Sequence, residues 1–97
     1  MTDPQAARAE ALIAALPAGH LKGSAAGKPY RVEITRHAKG RSLKLVASQL
    51  GGPDRLSLNL YLTAAGPRLF PCETTPERVL RFLEAFVPDR RDAAGPK

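Results

Sequence analysis

The chain has 97 residues, 43% of them hydrophobic and 25% charged, with a formal net charge of +6, a composition suited to one ordinary folded domain. No apolar run approaches the ~20 residues needed to span a bilayer, and the polar start, with Asp3 and no basic segment before an apolar one, does not read as a secretory signal. A single cysteine, Cys72, excludes an internal disulfide and suits a reducing, cytoplasmic setting.

Asp3 followed by Pro4 pairs an N-cap acceptor with a proline at the first helical position. Ala9, Leu12, Ile13 and Leu16 then recur at helical spacing, and Pro17 and Gly19 close the pattern, so a short helix is predicted over 4–16. Residues 17–29 (PAGHLKGSAAGKP) mix Gly, Ala and Ser with two lysines and read as a flexible basic linker. Residues 1–29 are therefore expected to stand apart from a domain over 30–87.

Three alternating runs follow. Tyr30, Val32 and Ile34 alternate with Arg31, Glu33 and Thr35; Leu43, Leu45 and Ala47 with Ser42, Lys44, Val46 and Ser48; Leu56, Leu58, Leu60 and Leu62 with Arg55, Ser57, Asn59, Tyr61 and Thr63. Period-2 alternation is the mark of a half-buried strand. Turn residues at 38–40, 51–54 and 65–67 separate the runs and make antiparallel hairpins. A short fourth strand, Arg68 to Phe70, precedes Pro71 and belongs at an edge. Thr75, Pro76 and Glu77 open a second helix, in which Val79, Leu80, Phe82, Leu83, Phe86 and Val87 form one apolar arc before Pro88. Residues 88–97 read as a disordered tail. The expected fold is α+β: a four-stranded antiparallel meander with a C-terminal amphipathic helix on one face and a short N-terminal helix. An ordered part of roughly 70 residues buries only about 60% of its unfolded surface, and a homodimer would add to that margin.

The positive charge is unevenly placed. Residues 20–50 carry Lys22, Lys28, Arg31, Arg36, Lys39, Arg41 and Lys44 against one acid, Glu33, while the rest of the chain sums to zero. With the leucines turned toward the helix, the pleat assigns Arg31, Lys44, Arg55 and Arg68 to the opposite face, with Tyr61 and Phe70 on neighbouring strands. The turn sequence RHAKGR (36–41) extends this basic surface through Arg36, Lys39 and Arg41. A basic face that follows phosphates, with rings that stack on unpaired bases, is the chemistry of single-stranded nucleic-acid binding.

Four strands and a capped helix over 30–87, with a basic, sparsely aromatic sheet, resemble the unit shared by PUR-type repeats, the Whirly proteins and the positive-coactivator family of single-stranded-DNA binders. The resemblance lies in element order and implies a curved sheet that binds single strands and units that pair into dimers. It assigns no individual residue.

Enzymatic chemistry is not expected. Cys72 lies three residues before the predicted N-cap with no histidine near it in sequence, and His20 and His37 share no zinc-ligand spacing with it. The glycines fall in linker and turns without phosphate-loop spacing, and the acids are dispersed. No metal, cofactor, small-molecule substrate or membrane partner is expected. Two function classes remain: a single-stranded DNA or RNA binder using Arg31, Arg36, Lys39, Arg41, Lys44, Arg55 and Arg68 for phosphate and Tyr61 and Phe70 for bases, or a protein–protein adaptor that offers the sheet face or the first helix to a partner.

Overall fold

The leucine-rich runs lie at the centre of one antiparallel sheet, which the computed structural model describes together with its helices over residues 3–17 and 19–89. In chain order the elements are α1 (Pro4–Ala14), β1 (Gly19–Ala25), β2 (Lys28–His37), a single 3-10 turn (Ala38–Gly40), β3 (Ser42–Gln49), β4 (Arg55–Thr63), β5 (Gly66–Cys72), α2 (Pro76–Ala85) and β6 (Val87–Pro88). The spatial order is β5-β4-β3-β2-β1-β6, so five strands form an uninterrupted meander and the last returns to the far edge.

The α+β class is correct, but the sheet has six strands where the alternation suggested four. The segment read as a linker contains β1, which pairs with β2 from Gly19 opposite Ile34 to Ala25 opposite Lys28. It gave no strand signal because only Leu21 and Ala25 supply apolar side chains on its inner face, and the position between them is Gly23. Glycine is needed there. A Cβ on Gly23 would meet the carbonyl oxygen of Val87 and lie 2.7 Å from the Phe86 ring, so the missing side chain is the space in which the end of α2 seats.

The second helix is also shorter than its apolar arc. Phe86 leaves it with extended backbone and stays buried. Val87, expected on that arc, lies opposite Ser24 in β6 and is exposed. Pro88, expected to begin the tail, pairs opposite Gly23, and the N–H of Asp89 donates to the Lys22 carbonyl at 2.7 Å. The remainder of the expected tail, 90–97, lies outside the described residues.

Both helices lie against the same side of the sheet. Asp3 caps α1 by accepting from the Ala6 N–H at 3.1 Å, and Thr75 caps α2 by accepting from the Arg78 N–H at 3.1 Å. Ala6, Ala9 and Ile13 of α1 and Val79, Phe82 and Leu83 of α2 join Leu21, Val32, Leu45, Leu58 and Leu60 of the sheet in one buried cluster. Arg8 with Glu84 at 3.3 Å and Gln5 with Glu77 at 3.2 Å link the helices at the surface, where such pairs contribute little.

The β5 edge resists extension. Pro67 and Pro71 share one side of β5, and an intact ladder to β4 turns their donor-free nitrogens outward. The opposite edge, β6, is two residues long and contains Pro88. Prolines and short strands at edges suppress pairing with another chain.

Gly23→Ala tests the seating of Phe86. Overpacking at this site is expected to destabilise the protein by about 1–3 kcal/mol, read from the urea midpoint, while Ser24→Ala on the other face leaves the midpoint near that of the parent. A Gly23→Ala midpoint equal to the parent would show that the two segments do not meet as described.

Candidate nucleic-acid interface

The register brings distant charges into rows across the uncovered face. At one end of the strands, Lys22, Arg31, Ser48 and Arg55 lie side by side on β1 to β4. The next row is His20, Glu33, Val46, Ser57 and Cys72, followed by Thr35, Lys44, Asn59 and Phe70, and then by His37, Ser42, Tyr61 and Arg68. Strands are about 4.8 Å apart and rise about 3.4 Å per residue, so these rows cover a surface of roughly 20 Å in each direction. From β1 to β5 it holds Lys22, Arg31, Lys44, Arg55 and Arg68 against Glu33.

Of the nine residues singled out in the sequence, Arg31, Lys44, Arg55, Tyr61, Arg68 and Phe70 share this face. Arg36 falls on the other side of the pleat, opposite Leu43 on the helix-facing side. Lys39 and Arg41 sit in and just after the β2–β3 turn, and all three are exposed. The turn is tight, with Ala38, Lys39 and Gly40 all at positive φ, so RHAKGR forms a compact basic tip next to the Tyr61–Arg68 end. Sequence reasoning undervalued Lys22, which β1 places next to Arg31; the linker reading had detached it from the face.

Tyr61 is 43% and Phe70 54% exposed, their ring centroids 5.5 Å apart and their planes at 69°. Two rings at that angle form a corner rather than a flat platform. Large apolar groups exposed side by side on an otherwise polar face are more informative than scattered ones. The acid on the face has the His20 ring beside it, with Nδ1 3.2 Å from Glu33 Oε2.

A second polar cluster, on the helix side, was not visible in the sequence. Tyr30 is buried against Phe82, with centroids 4.9 Å apart, and its hydroxyl donates to Asp54 Oδ2 at 2.5 Å. Arg78 Nη2 donates to both Asp54 oxygens at 2.6 Å. The Tyr30 hydroxyl, and after it Arg78, hold the Asp54 carboxyl below its usual range. Burial, and next the bond to Asp54, push the Tyr30 phenol up. This cluster ties the β3–β4 turn to β2 and α2 beside a recess of about 240 Å³. Its members lie far apart in the chain, and no local spacing announces them.

Cys72 and His20 occupy opposite ends of one row, four strands or about 19 Å apart, so this thiol and imidazole do not pair. Among the described residues, no three of His, Cys, Asp and Glu gather in a way that could hold a metal ion, and no helix is long and apolar enough to cross a membrane. Comparison with protein-family models, with curated proteins and with solved structures finds no match to this chain. Function is therefore read from the geometry of its own residues.

The Asp54 cluster predicts a pH dependence of stability. A carboxyl with a depressed folded pKa stabilises above its unfolded value, near 4, and loses that contribution as pH falls through the folded value. Asp54→Asn should cost roughly 1–3 kcal/mol at pH 7, with the gap to the parent closing below about pH 4 in denaturant titrations. A gap constant down to pH 2 would contradict it.

Proposed function

We propose that this protein is a small non-enzymatic nucleic-acid-binding protein that holds single-stranded DNA or RNA across the open sheet face. The observation that carries this reading is the exposed Tyr61–Phe70 corner set among Lys22, Arg31, Lys44, Arg55 and Arg68, on a face that neither helix covers. The cations follow the phosphates, and the rings stack on bases that no complementary strand occupies. Lys39 and Arg41, in and just after the β2–β3 turn, extend the phosphate path past the Tyr61 end, whereas Arg36 lies on the helix-facing side. A cytoplasmic setting, where the exposed thiol of Cys72 stays reduced, fits this role.

Self-association through this face is disfavoured, because a second copy stacked on it brings five cations against five. A homodimer, which the small core would favour, would use the helical side instead. A protein partner is the second reading, favoured by the exposure of Val87 as well as Tyr61 and Phe70; such a partner needs an acidic surface to match the cations.

Charge and stacking are separable by substitution. Arg31→Glu with Arg55→Glu should abolish single-strand binding at 200 mM salt without lowering the melting temperature. Lys39→Glu with Arg41→Glu should weaken binding and flatten its dependence on salt by about 0.7 in log–log slope per lost phosphate contact. Tyr61→Ala should cost about 1–3 kcal/mol of binding. If the first pair binds as tightly as the parent, the face is not the site; if only Tyr61→Ala has no effect, the electrostatic half alone survives. Capture of an acidic protein, without oligonucleotide binding, would favour the adaptor reading.

A further inference from the structure

The corner between Tyr61 and Phe70 has a polar side chain beside it that phosphate binding does not use. Asn59 precedes Tyr61 by two residues on the same face of β4, lies opposite Phe70 in the ladder to β5 and opposite Lys44 in the ladder to β3. Its amide makes one hydrogen bond with the described residues, donated from Nδ2 to Cys72 Sγ at 3.9 Å, and a thiol sulfur is a weak acceptor. The amide oxygen and a second N–H are thus left for a ligand.

We propose that Asn59 is a specificity-determining residue that reads the edge of a single unpaired base held in the aromatic corner. This rests on the open face being a single-strand site. Rings at 69° cannot both lie flat beneath a continuous stack, so the corner takes one base, stacked on one ring and bounded by the other. Directly opposed residues in an antiparallel ladder have Cβ atoms about 4.5–5.5 Å apart, and a base over Phe70 therefore brings its edge above Asn59. Unpaired bases expose adjacent donors and acceptors on their edges. A carboxamide carries both, whereas the lysine and arginines around it only donate. Adenine is the base expected, since its amino group and N7 take a bidentate amide.

The test is fluorescence anisotropy with short oligo-dA, oligo-dC and oligo-dT, and oligo-rA to compare the two sugars, against the parent, Asn59→Ala, Asn59→Gln and Tyr61→Ala. The parent should prefer oligo-dA by at least about fivefold, the lower end of what a bidentate pair discriminates. Asn59→Ala should bring the three DNA affinities together while leaving the salt slope and melting temperature unchanged, and Asn59→Gln should restore part of the preference. No preference, preference for another base, or a preference that Asn59→Ala leaves intact would overturn the role of Asn59. In those cases a loss on Tyr61→Ala would leave the single-strand reading standing. Binding of none of the oligonucleotides would overturn both.

Discussion

The constraint on which the rest depends is that two helices and one sheet build their buried apolar core on a single side of that sheet. Val32, Leu45, Leu58 and Leu60 are fully buried under α1 and α2, and the strict pleat that puts them there sends their neighbours to the other side. No third layer exists among the described residues to cover that second side. A six-stranded sheet thus acquires a broad open face as a consequence of where its core lies. Gly23 is part of the same constraint: only an absent side chain lets Phe86 close the edge of the core and β6 return beside β1.

That open face need only be polar to satisfy water, and an antiparallel sheet commonly has one solvated side. Hydration does not call for Tyr61 and Phe70 to project together, or for Arg31, Lys44, Arg55 and Arg68 to share a face with one acid. Both features impose a cost unless something binds, through exposed apolar area and like-charge repulsion respectively. A polyanion with unstacked aromatic bases relieves both at once.

Much of this was legible in the sequence where the signal is local. The alternation from Tyr30 to Thr63 named the inner and outer residues of three strands, and Thr75-Pro76 marked the start of α2. The sequence alone puts Tyr61 and Phe70 on adjoining strands, since the pleat and one short turn suffice. What was illegible depends on tertiary partners. The strand β1 has a glycine where a core residue should be, for a reason found on Phe86, more than sixty residues away. Val87 continues the helical arc in sequence, yet the chain turns out at Phe86 to pair with Ser24. Asp54 reads as a turn residue, and only the fold shows it to be the acceptor that joins Tyr30 to Arg78.

The most direct measurement is fluorescence anisotropy of labelled single-stranded DNA, single-stranded RNA and duplex DNA, each titrated with the intact protein at 50 and 200 mM salt, the range over which phosphate contacts reveal their number. The account predicts saturable binding of single strands that weakens with salt and outlasts duplex binding at the higher concentration. Equal binding of all three that vanishes together at 200 mM salt, or no binding at 50 mM, would contradict it.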